Sequence, residues 1–210
     1  MKKVMSLILA LLLTVSLAAC GGKSDEPDLH RGTVDGDTYT SEFLGLKLTV
    51  DEDWVIADDE QLAELSGVVK ESFTDEEIRA EIEKGGSVTD LYALNQADGS
   101  SVNITIQKLS LVSGMLATED AYAEANLKQL PDVLADGGIT VDSLEKTKVT
   151  FAGKEHVALT LEGTVQELPL YETIVIVKAG SYISCITAAT FFEDTTADLL
   201  DLFQPLSEQK

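Results

Sequence analysis

The chain has little of four things, and each scarcity removes a class of protein. Cysteine occurs only at Cys20 and Cys185 among 210 residues, so no disulfide framework can hold the fold. Positive charge is sparse: 15 Lys and Arg face 37 Asp and Glu, a formal net charge of −22. So acidic a surface repels phosphate backbones and anionic lipid headgroups, which excludes nucleic acid as a partner. Long apolar runs are missing as well. The N-terminal stretch Val4 to Leu17 reaches about 20 Å as a helix, short of a hydrocarbon core of about 30 Å. Local catalytic signatures are also missing: the sequence has no Gly-x-Ser-x-Gly elbow, phosphate-cradling glycine loop, His-Glu-x-x-His or zinc-type cysteine spacing.

What is present begins at the N-terminus. Met1-Lys2-Lys3 forms a positive n-region, and the apolar stretch after it has Ser6, Thr14 and Ser16 as its only polar members. This reads as a removable secretory signal. Ordinary cleavage wants small residues at −1 and −3; Ala19 suits −1, Leu17 does not suit −3, and Cys20 follows. Leu17-Ala18-Ala19-Cys20 resembles the lipobox of bacterial lipoproteins, whose cysteine thiol receives a diacylglycerol before cleavage at its own N-terminus. The resemblance implies lipidation at Cys20 and anchorage on the outer face of the cytoplasmic membrane. Removing residues 1–19 discards Lys2, Lys3 and no acid, so the charge moves from −22 to −24. Protein charge cannot hold such a chain at a bilayer, whereas two acyl chains can, at roughly 0.8 kcal/mol per buried CH₂. Cys185 is then left without a disulfide partner, and stability must come from one hydrophobic core.

Residues 20–38 are rich in Gly, Asp, Ser and Lys and read as a flexible tether. A single domain is expected over 39–206. Leu46, Leu48 and Val50 alternate with Lys47 and Thr49 as a half-buried strand, and Trp54-Val55-Ile56 returns to the core. A short helix is expected from Asp59 to Leu65, stopped at Gly67. Thr74 and Glu77 have the spacing of a capping box, opening a helix through Ile78 and Ile82 to Gly85. Strands over 88–95 and 102–109 flank the turn Ala97-Asp98-Gly99. Thr118 caps a longer helix carrying Tyr122, Ala125, Leu130, Val133 and Leu134, which Pro131 should kink or split. Four β-rich runs follow, Ile139–Phe151, Glu155–Val165, Leu170–Lys178 and Tyr182–Thr190, with connections too short for anything but antiparallel neighbours. A terminal helix opens at Asp194 or Thr195, with Leu199, Leu200 and Phe203 inward. The fold class is α+β: an antiparallel sheet ending in a four-strand meander and covered by helices.

The order of these elements, with Phe43, Gly45, Leu46, Lys47, Leu48 and Trp54 at its start, resembles the PsbP-like domain. That family's pattern has a proline where Asp51 or Glu52 stands here. The Glu-Phe-Leu-Gly-Leu-Lys opening also resembles small uncharacterised Gram-positive lipoproteins. The resemblance implies a PsbP-like α/β/α sandwich that works by binding a partner. It carries over no binding residue.

Lipidation at Cys20 is the one site assigned; no catalytic, cofactor or metal residue is. Cys185, in the strand Tyr182-Ile183-Ser184-Cys185-Ile186-Thr187, is expected to be buried structure. A reactive thiolate there would need a base, and His156 is the only candidate in the domain. Its alternation with Val157, Leu159 and Leu161 points it away from their face. His30 falls in the tether and should be solvated. The acidic clusters 51–53, 58–60 and 75–77 suit helix starts and solubility. Asp35-Gly36-Asp37 begins like a calcium loop, but Leu46 occupies the twelfth position, where a bidentate acid is needed. Together these features point to a non-enzymatic, lipid-anchored module that binds a protein partner or assists an envelope complex. The alternative is a solute- or metal-binding lipoprotein serving a transporter; a hydrolase using Cys185 is a third reading.

Overall fold

Period-two alternation of apolar residues builds most of this molecule. The computed structural model describes residues 29–66, 74–109 and 118–206. Cys20 and Gly67 lie outside the described residues. A seven-stranded antiparallel sheet contains β4 (Trp54–Ile56), β5 (Ser87–Asn95), β6 (Ser101–Lys108), β7 (Ile139–Phe151), β8 (Lys154–Val165), β9 (Leu168–Ala179) and β10 (Tyr182–Phe191). Their spatial order is β4-β5-β6-β10-β9-β8-β7, so the last four strands form the expected meander. A smaller antiparallel sheet, not anticipated, has the order β1-β2-β3-β11, with β1 (Thr33–Asp35), β2 (Thr38–Ser41), β3 (Leu46–Thr49) and β11 (Phe203–Pro205). Asp35-Gly36-Asp37 is therefore the turn of the β1–β2 hairpin.

Both faces of the large sheet are packed. Along β10, Tyr182, Ile186 and Ala188 enter one core, while Ile183, Cys185 and Ala189 enter the other. The first core is closed by the small sheet and by α1 (Asp59–Leu65), α2 (Asp75–Glu83) and α4 (Thr196–Leu200), through Leu62, Ile78, Ile82 and Leu200. The second is closed by α3 (Glu119–Asp136), through Tyr122, Ala123, Leu130 and Leu134. The class is α+β, with helices on both faces of an antiparallel sheet.

Several local expectations are revised. Residues 29–38 are part of the domain, because the backbone at 31–32 finds carboxylate partners and 33–38 enter the β1–β2 hairpin. Leu29 is buried; Arg31 N donates to Asp75 Oδ1 at 3.0 Å, Gly32 N donates to Asp90 Oδ2 at 3.0 Å, and His30 Nδ1 lies 3.1 Å from Asp75 Oδ2. His30 is thus partnered, although its side chain stays half exposed. Gly32 is required there, since a Cβ would run into the ring of Tyr39. The complete capping box belongs to α1: Gln61 N donates to Asp58 Oδ1 at 3.0 Å and Asp58 N to Gln61 Oε1 at 2.9 Å. At α2, Thr74 accepts from Glu77 N, but its hydroxyl, not its backbone N–H, takes the Glu77 carboxylate.

Pro131 does not split α3. It loses one backbone bond, but the face holding Leu130 and Leu134 stays buried across it. Val133 turns outward, and Asn126 takes a buried position instead. The terminal helix ends at Leu200, because from Phe203 the chain pairs with β3. Finally, Val55 does not return to the core; it is 44% exposed.

Candidate functional site

Val55 is exposed because the helix on its side of the sheet stops short. Cross-strand partners share a face, and the row Val55–Leu94–Ser101–Ala189–Glu172–Leu161 crosses the sheet on the face covered by α3. That helix packs on β7, β8 and β9, and no described residue covers the β4–β5 end of the face. A groove of about 560 Å³ lies there, walled by Val55, Tyr92, Leu94, Leu168, Phe191 and Phe192. Its size falls within the range of small-molecule and peptide sites.

Two strained turns border the groove. Phe192 has φ +70° and is 64% exposed, and Glu193 N donates across it to Phe191 O at 2.9 Å. A bulky residue at positive φ inside so tight a turn costs on the order of 1–3 kcal/mol. On the other side of the groove end, Gln166 (φ +49°) and Glu167 (φ +68°) make a two-residue hairpin turn without glycine or asparagine. The surrounding sheet therefore forces an aromatic ring out at the mouth of the groove.

The hairpin Asn95–Gly99 and the start of α1 add polar groups. Gln61 Oε1 is held by Asp58 N, and Asn95 Oδ1 accepts from Ala97 N at 2.8 Å. These bonds fix both side chains and leave their NH₂ groups as donors; Gln96 adds a third carboxamide. Asp98 is tied down by Ser100, whose N and Oγ donate to it at 2.8 and 2.7 Å.

Cys185 is buried structure. Its thiol faces Tyr122 Oη at 3.7 Å, and burial pushes its pKa up to about 12. Burial, then the neighbouring Cys185, also raises the Tyr122 phenol, which accepts from Gln107 Nε2. His156 lies in the other strand phase and bonds Glu119 Oε1 at 3.0 Å. The same carboxylate accepts from Val157 N and Lys178 N, at the place where β8–β9 pairing ends. The structure does not bring Cys185 and His156 together. With a pKa near 12, about one thiol in ten thousand is ionised at pH 8. Iodoacetamide should accordingly modify Cys185 at least about a thousandfold more slowly in the native protein than in urea. A native rate within tenfold of the denatured one would contradict this burial.

Among the described residues, no three His, Cys, Asp or Glu side chains converge as a metal site. The acidic clusters 58–60 and 75–77 instead cap or lead into α1 and α2, whereas 51–53 forms the turn between β3 and β4, where Trp54 N donates to Asp51 O and Asp53 N to Asp51 Oδ1.

Sequence reasoning missed both the groove and Glu172. Leu170, Glu172, Ile174 and Ile176 follow one strand phase, so an acid stands among apolar inward positions. Glu172 is fully buried with Oε2 unpartnered, and burial raises its pKa from the ordinary 4.5 to about 7.

No protein-family model matches the sequence, and no curated protein matches it. Solved structures do resemble the fold. The solution structure of cyanobacterial PsbP from Synechocystis sp. PCC 6803 is similar at 14% identity and TM-score 0.43, over 90% of this chain and 98% of that one. A crystal structure from Bacteroides thetaiotaomicron VPI-5482 is similar at 10% identity and TM-score 0.43, over 84% of this chain and 51% of that one. LpqN, involved in cell envelope biogenesis of Mycobacterium tuberculosis, is similar at 10% identity and TM-score 0.38, over 76% and 82%.

Proposed function

We propose that the chain is a lipid-anchored, extracytoplasmic binding module without catalytic chemistry of its own, and that the groove beside Phe192 is where its partner docks. The observation that carries this reading is a strained turn holding an exposed phenylalanine at the mouth of an apolar groove. Strain persists at surface positions where the surrounding fold imposes it, and binding sites are where such strain gathers. Anchorage rests on the lipobox-like Leu17-Ala18-Ala19-Cys20. The groove volume also suits a small apolar solute, which keeps a solute-binding lipoprotein as the second reading.

The test has two arms. Mass spectrometry of the mature N-terminus should find diacylglycerol on Cys20; a free thiol there removes the anchor. A photo-crosslinking residue at position 192 should give a discrete adduct in intact cells. The same residue at position 133, also an exposed apolar position, on α3, should give none. Adducts from both positions, or from neither, refute the groove as the docking surface.

A further inference from the structure

The groove runs across the strands. From β4 to β9 there are four inter-strand steps, about 19 Å across the sheet, and Leu168 lies four residues along β9 from the row of Val55, so the lining extends at least about 19 Å between these two residues. At about 3.3 Å per residue, that length accepts at least about six residues of extended polypeptide.

Two further observations select the chemistry of the occupant. The first is the set of oriented NH₂ groups on Gln61 and Asn95, whose acceptor oxygens are already engaged within the protein. With Gln96 they offer donors along an otherwise apolar groove, and their natural complement is a row of carbonyl oxygens. A hydrocarbon chain has no acceptor to give them. The second is charge. Asp98 lines the groove, and Asp53, Asp58, Glu167, Glu193 and Asp194 are exposed within two residues of lining positions. No Lys or Arg occurs within 51–66, 94–100, 166–169 or 190–195. Among the described residues the rim is therefore of one sign, which repels an anionic headgroup and attracts cations.

We infer that the groove's occupant is an extended segment of a partner protein, about six residues long, with apolar side chains on the groove face and Lys or Arg at its ends. This deepens the reading of the groove as a docking surface and rests on it. The apolar side chains meet Val55, Leu94 and Phe191, the segment's carbonyls take the amide donors, and its basic ends face the carboxylate rim.

The lipidated full chain, held in phosphatidylcholine nanodiscs, can be titrated against three fluorescent ten-residue probes. The first alternates Val or Leu with Ser over six central residues and carries two lysines at each end. The second has glutamates at the ends, and the third keeps the lysines but has a Gly-Ser centre. The first should bind at least about tenfold more tightly than either other. It should weaken about fivefold or more between 50 and 300 mM salt, as screened charge pairs do. Phe192→Ala, an exposed substitution that leaves both cores intact, should weaken it at least about fivefold, and Asp98→Asn should reduce its preference over the glutamate probe. Equal binding of the lysine and glutamate probes, both sensitive to Phe192→Ala, overturns the charge selection and leaves the groove reading standing. Equal binding of the Gly-Ser probe, insensitive to Phe192→Ala, shows surface charge alone and overturns the proposal. Absence of binding by all three, with position-192 adducts still forming in cells, overturns the extended-peptide occupant; absence of the adducts too removes the docking surface itself.

Discussion

Glu172→Gln should make the protein more stable at pH 8 and leave it nearly unchanged at pH 4. Glu172 is fully buried on β9, its Oε2 has no partner, and burial raises its pKa from 4.5 to about 7. Because the folded value lies above the unfolded one, the native state holds an extra proton between those limits. The stability linked to that proton is complete below about pH 4.5 and is lost as pH rises through about 7. A shift of this size corresponds to about 3 kcal/mol, at about 1.4 kcal/mol per pH unit. Glutamine cannot ionise and escapes the loss. The difference in unfolding free energy between variant and wild type should grow from near zero at pH 4 to about 3 kcal/mol at pH 8, or about 5–10 °C in Tm. Taking the difference cancels the contribution of the other acids. Urea titrations at four pH values give the curve, and a difference independent of pH would show that Glu172 is ionised and accommodated in the native core.

Asp90→Ala should be the most damaging single substitution near the N-terminal end of the fold, at about 3–5 kcal/mol. Asp90 is buried, and it accepts from Tyr39 Oη at 2.6 Å and from Gly32 N at 3.0 Å. Burial raises its pKa, and the Tyr39 and Gly32 donors act against that rise. Alanine strands both donors in a dry site. Asparagine keeps an acceptor oxygen and should cost about 1 kcal/mol, which separates loss of acceptors from loss of charge. A second readout is local. Trypsin should leave the Arg31–Gly32 bond intact in the wild type and cut it in Asp90→Ala, since the segment then loses its attachment. Equal stability of the alanine and asparagine variants would contradict this account.

The meander was legible almost to the residue, because Gly153 and Gly180 punctuate runs of β-branched and apolar residues. Thr118 announced α3, and Lys84 followed by Gly85 ended α2 as the sequence suggested. Of the small sheet only β3 was legible, through the alternation of Leu46 and Leu48. Its other strands have three or four residues, and β11 pairs with β3 from more than 150 residues away, so no local period reports them as a sheet. The inclusion of residues 29–38 was hidden for a related reason. A segment of Gly, Asp, Thr and Arg buries little apolar surface, and what holds it is carboxylates on α2 and β5 that composition alone does not connect to it. Pro131 misled through a local rule that tertiary packing outweighed. The groove was invisible because it is defined by where α3 fails to reach. Glu172 was visible in principle, as the one acid in the inward phase of β9.

The attachment of residues 29–32 sets a radius of action. If Cys20 holds the acyl chains, only nine residue steps separate it from buried Leu29, at most about 30 Å however that stretch is arranged. A leash running on to Tyr39 would have allowed about twice that. With that anchor in place, the domain would be confined to the layer immediately above the bilayer. The protein segment proposed for its groove would then belong to a membrane protein or to a newly exported chain still close to its exit.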